Sequence, residues 1–137
     1  MIQAAVITLA GFGLAISATF AAIGAGMVNS QDRRLPKLCR MDGKDCLGLL
    51  HSADGKVFGL PNAVAGLLYY GVLLAVALDG DALSDLVGFL VLPGLLTVVL
   101  GIYLTARLLV VHRARCTLCH ATHAVNLLLF ALFLAGL

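Results

Sequence analysis

The chain has 137 residues, room for one domain. With 61% hydrophobic and 12% charged residues it cannot be a soluble globule. Nine Lys and Arg against seven acidic residues leave a net charge of +2, and no nucleic-acid partner is expected.

No residue from Ile2 to Ser30 is charged, and the first transmembrane helix is expected over about 2–29. It lacks a basic leader region and exceeds the apolar run of a signal peptide, so it reads as retained. Gly13, Ser17, Ala21 and Ala25 form a small-residue ridge at four-residue spacing, which lets a neighbouring helix approach closely. A polar loop follows over 30–56, with Pro36, Gly43, Gly48 and Gly55 arguing against continuous helix. It carries Cys39 and Cys46, and Leu47, Leu49 and Leu50 can make a short amphipathic turn over the bundle mouth.

The second helix is expected over 57–78, with Pro61 in its first turn. Asp79, Asp81 and Asp85 then read as a connection to a third helix over 86–110, kinked at Pro93–Gly94. A basic turn leads into a fourth helix over 116–137, which opens with Cys116-x-x-Cys119. In lipid each spanning segment must satisfy its own backbone hydrogen bonds, so all four are helices. The expected fold is an all-α membrane protein: one domain over 1–137, a four-transmembrane-helix bundle with a cysteine-bearing loop between helices one and two.

The cations sort to one side. Arg33, Arg34, Lys37, Arg40, Lys44 and Lys56 lie in the first connection, and Arg107, Arg113 and Arg115 in or beside the third. The second connection has none. Positive-inside logic puts both cysteine pairs on the cytoplasmic side of a multi-pass cell-membrane protein, with the extracytoplasmic face as the alternative. Mesophile cytosol keeps thiols reduced, whereas some hyperthermophile cytoplasms are disulfide-rich.

Cys116 and Cys119 are three residues apart and share one helical face, so they can close a short-loop disulfide. A helix N-terminus with Arg113 and Arg115 just upstream favours the thiolate, the reactive species. Cys39 and Cys46 stand in a loop able to swing between an outside partner and the C-x-x-C; the plain alternative is a static disulfide staple. Cys116-Thr117-Leu118-Cys119-His120 also fits the attachment pattern of a c-type haem in an electron-transfer subunit, which would leave Cys39 and Cys46 without a role. A zinc site on Cys116, Cys119, His120 and His123 would crowd its ligands around one helix, and no metal is expected.

Three blocks between Cys39 and Asn126 carry a resemblance. One is Cys46 with Ser52 six residues on; another is the run from Phe58-Gly59-Leu60-Pro61-Asn62 to Tyr69-Tyr70; the last is Cys116-x-x-Cys119 with Asn126 seven residues beyond. Together they resemble the vitamin K epoxide reductase family of membrane thiol oxidoreductases. The resemblance implies that Cys39 exchanges with a thioredoxin-like partner, here a separate protein. Cys39 would then pass the redox state to Cys46, Cys46 to Cys116, and Cys119 would face a lipid quinone such as ubiquinone or menaquinone. It implies that Asn62 bonds a quinone carbonyl, that His123 stands where many members have a tyrosine donor, and that Phe58 and Asn126 belong to the quinone site. Ser52 would hold the loop against the bundle. The bacterial quinone-linked disulfide oxidases place their two cysteine pairs in the opposite order and rank as an analogue.

Overall fold

The computed structural model describes residues 2–24, 56–57, 60–110 and 117–137. Four helices make up nearly all of it: α1 Ile2–Gly24, α2 Asn62–Leu78, α3 Gly80–Val110 and α4 Thr117–Gly136. Two short strands, β1 Lys56–Val57 and β2 Leu60–Pro61, pair antiparallel just ahead of α2, with Val57 opposite Leu60 and Lys56 opposite Pro61. Spans Ile2–Ala22, Gly80–Arg107 and Cys119–Gly136 are long and apolar enough to cross a membrane. At 17 residues α2 is the shortest helix, about 25 Å at ~1.5 Å per residue, the lower limit for crossing.

Two helix starts differ from the sequence expectation, each for a backbone reason. Helix α2 begins at Asn62, not near 57, and Pro61 sits in β2 rather than inside the first turn. Proline biases the residue before it toward extended backbone, so Leu60 stays in strand and the helix opens after the ring. Helix α3 begins at Gly80, not 86, so Asp81 and Asp85 are helical and Asp79 alone makes the connection. Asp79 caps it: its Oδ1 accepts the amides of Asp81 (3.2 Å) and Ala82 (3.3 Å), while its carbonyl accepts Leu83 N–H at 3.0 Å. The expected extension of α1 to 29 lies outside the described residues.

Helix α1 packs chiefly on α2, and α3 on α4; α4 also lies against α1. The small-residue ridge explains the first pair. A Cβ on buried Gly13 would stand 2.5 Å from the Tyr70 ring, and one on Gly66 would collide with Ser17 Oγ, so glycine alone permits these approaches. At the other end of this antiparallel pair Gln3 Nε2 donates to Ala77 O at 2.9 Å. Between α3 and α4, Gly94 receives the rings of Phe130 and Phe133, whose carbons would lie 3.3 and 3.2 Å from an added Cβ. Gly94 thus makes room for these rings, beside Pro93 inside a helix that continues to Val110.

The interior is formed by Val6, Ala10, Tyr70, Leu73, Ala77, Leu83, Val125, Leu129 and Phe133. Phe12, Leu68, Val72, Phe89, Leu92 and Ile102 are exposed. In water that surface would cost stability; facing hydrocarbon it is the matched solvent.

Candidate functional site

Helix α4 opens at the end of the bundle where α2 also begins and α3 ends, so the residues leading each helix in or out gather there. Cys119, His123 and Asn126 succeed one another along one face of α4, spaced by four and three residues. Cys119 and His123 are half-buried, and Asn126 is buried. The face thus runs from a thiol near the helix start to an amide inside the bundle.

Polar side chains inside a membrane bundle are costly unless partnered, and so mark function or specific packing. Tyr70 O–H donates to Asn126 Oδ1, joining α2 to α4. Tyr70 is 1% exposed and its ring fills the notch at Gly13, so α1 completes the node. Its neighbour Tyr69 meets it edge-on, with ring centroids 5.2 Å apart and planes at 61°. Tyr69 Oη is buried beside Thr97, whose Oγ1 donates to Gly94 O at 2.7 Å.

His123 lies against Gly101 of α3. A Cβ there would come within 2.9 Å of His123 Nδ1, so the absent side chain makes room for the imidazole. That nitrogen is buried and has no hydrogen-bond partner among the described residues. A neutral imidazole nitrogen either donates or accepts, depending on which nitrogen carries the proton.

Of the residues expected from sequence, Cys119, His123 and Asn126 share this face, and Asn62 is the first residue of α2. Cys39, Cys46, Ser52, Phe58 and Cys116 lie outside the described residues. Among the described residues no three His, Cys, Asp or Glu side chains cluster as metal ligands. The suggested zinc set includes Cys116, outside that range. Sequence reasoning passed over Tyr69, Tyr70, Thr97 and Gly101. The first two stood in the quoted block ahead of α2's middle, but nothing in an almost wholly apolar helix told an inward hydroxyl from a lipid-facing one.

A search of curated proteins finds no match to this chain. The family model of the vitamin K epoxide reductase family matches residues 4–134, which takes in all four helices nearly end to end. The chain belongs to the vitamin K epoxide reductase family, membrane disulfide oxidoreductases built as helical bundles.

Proposed function

We propose that the protein makes disulfides in a thioredoxin-like partner and delivers the electrons to a lipid quinone. The observation that carries this reading is the α4 face on which Cys119, His123 and Asn126 lead from the helix start into a buried polar interior. Thiol exchange needs water and a protein partner, whereas a quinone reaches the protein through lipid. A thiol at the edge of such a bundle has access to both.

A partner thiolate attacks the Cys39–Cys46 disulfide at Cys39 and the partner leaves oxidised; the reduced Cys46 then attacks the Cys116–Cys119 disulfide at Cys116, so the loop disulfide re-forms and the last pair is left as a dithiol. The Cys116/Cys119 dithiol then closes to a disulfide and gives up two electrons and two protons. A bound quinone supplies a sink for both pairs. His123 and Asn62 would orient its headgroup by hydrogen bonds to carbonyl oxygen, with Asn126 and Phe58 in the same pocket and Ser52 steadying the loop. The residues present suit that group: a half-buried imidazole with a nitrogen unpartnered among the described residues, and a buried amide held by Tyr70. The cation distribution supports a redox face toward the cytoplasm.

Cys119→Ala tests the assignment. Quinone reduction by the purified protein should fall to background, while the loop thiols still form mixed disulfides with a thioredoxin-like partner. Undiminished quinone turnover by that variant would sink the reading.

A further inference from the structure

Two glycines seven residues apart mark the seam where α3 meets α4. Gly94 takes the rings of Phe130 and Phe133, and Gly101 takes the imidazole of His123. Toward the other end of the seam a Cβ on Gly88 would stand 3.8 Å from Leu137, so the two helices run antiparallel in one register. Seven residues are close to two helical turns, which keeps Gly94 and Gly101 on one face. Both are buried, whereas Phe89, Leu92, Ile102 and Tyr103 of the same helix are exposed. At Gly88 and Gly94 the neighbours are apolar; at Gly101 the neighbour is the polar ring of the proposed site.

The contact at Gly101 is the tightest of the three, and it has a direction. An added Cβ would lie 2.9 Å from His123 Nδ1, 3.4 Å from Cγ and 3.7 Å from Cβ. The ring therefore meets α3 with its Nδ1–Cγ edge, and Nε2 is not among its three nearest atoms. Nδ1 is buried and has no hydrogen-bond partner among the described residues. A neutral imidazole carries a single N–H, on one nitrogen or the other. A proton on Nδ1 would be buried against the Gly101 backbone without an acceptor, which is costly. A lone pair there meets the Gly101 hydrogen that a Cβ would replace, a weakly polar C–H that suits it. The proton belongs on Nε2.

We propose that Gly101 is a positioning residue for His123: its missing side chain seats the Nδ1 edge of the imidazole on α3 and leaves Nε2–H as the donor that His123 offers to the quinone. This role rests on the quinone reading above and names the atom of His123 that serves it. Any Cβ at position 101 closes the seat. The atoms it would strike lie at the root of the side chain rather than at a flexible tip, so either the ring turns or α3 and α4 separate. Either movement re-aims Nε2–H, and a hydrogen bond weakens steeply once its donor is misaligned. One methyl group on α3 thus redirects a donor that stands one turn along α4 from Cys119.

The test uses the full chain in lipid nanodiscs with decyl-ubiquinone as probe and dithiothreitol as electron donor, and compares Gly101→Ala with Gly94→Ala. Gly94 takes apolar rings, so its variant crowds the same seam without touching the imidazole. In Gly101→Ala the quinone KM should rise about 3- to 10-fold, the loss of one net hydrogen bond, with a smaller change in kcat. In Gly94→Ala the KM should stay at the wild-type value. Nitrogen NMR of histidine-labelled protein supplies an arm that needs no turnover, with the His123 signals assigned by their loss in His123→Gln. In wild type Nδ1 should show the pyridine-like shift of a bare nitrogen and Nε2 the pyrrole-like shift of an N–H. Gly101→Ala should move both signals, and Gly94→Ala neither. Wild-type KM with unmoved His123 signals in Gly101→Ala, or an equal KM rise in Gly94→Ala, would overturn the role of Gly101 and leave the quinone reading intact. A protonated Nδ1 in wild type would overturn it even if Gly101→Ala fails to fold. Absence of quinone turnover in wild type would overturn the quinone reading and the donor role together.

Discussion

Tyr70 joins three helices through two unlike contacts, a hydrogen bond to Asn126 and a ring seated against Gly13. The hydrogen bond is the smaller effect, since side-chain bonds inside membrane bundles average only about 0.6 kcal/mol and reach ~1.7. The steric contact is larger, because a Cβ at Gly13 would stand 2.5 Å from two carbons of the buried Tyr70 ring and 2.8 Å from a third. Gly13→Ala should therefore destabilise by about 1–3 kcal/mol, the usual cost of overpacking. Tyr70→Phe should cost less, about 1 kcal/mol, since the ring stays and a single bond goes. The pair can be separated by a double-mutant cycle read from denaturation in mixed micelles. Gly13→Ala should become nearly harmless in a Tyr70→Leu background, which removes the ring it strikes. If Gly13→Ala costs the same in both backgrounds, the notch is not what seats Tyr70.

Helix ends are where local chemistry and the membrane disagree, and the start of α3 shows it. Asp79, Asp81 and Asp85 looked like a loop because three charges close together rarely lie in hydrocarbon. The capping signal was nevertheless present, an aspartate directly ahead of a periodic apolar run. Since Asp79 Oδ1 accepts two otherwise unmatched amides, Asp79→Ala should cost about 0.5–2 kcal/mol, and Asp79→Asn much less. Equal melting temperatures for wild type and Asp79→Ala would show that the cap does not matter here. The same contrast marks what could be read from sequence. Apolar runs of membrane-spanning length gave the four helices, and the small-residue ridge gave a close helix approach on α1 without naming α2 as the neighbour, because both follow from composition and spacing along one segment. On α4, Cys119 and His123 were legible for the same reason, being one helical turn apart, whereas Asn126 was named by the family resemblance. Tyr69, Tyr70 and Gly101 were not legible, because their meaning lies in which other helix they touch. In segments apolar on every side, periodicity does not distinguish the lipid face from the interior.

For the molecule as a whole, the question left by its charges is which compartment the redox face serves. All nine cations fall in or beside the first and third connections, the end where α2 and α4 begin, and the exposed sides of α3 are hydrocarbon-like from Leu86 to Ile102. A juxtamembrane cation excess retains its loop on the cytoplasmic side, and the short acidic connection at Asp79 offers no counterweight. A cytoplasmic redox face, the orientation proposed here, would set a thermodynamic demand. A disulfide made in a reducing cytoplasm must be driven against a glutathione pool poised near about −220 to −320 mV, so the electron acceptor has to lie well above that range. Lipid quinones can meet the demand, which makes the orientation chemically coherent. The expected outcome is that a membrane-impermeant maleimide labels Cys39 in inverted vesicles and leaves it unlabelled in intact cells. It is measured by mass spectrometry on a variant retaining Cys39 alone, with Cys46, Cys116 and Cys119 replaced by alanine. Labelling from intact cells instead would place the loop outside. The positive-inside bias would then be overridden in this chain, and the relay would serve secreted proteins in an oxidising compartment, where its disulfides need far less driving force.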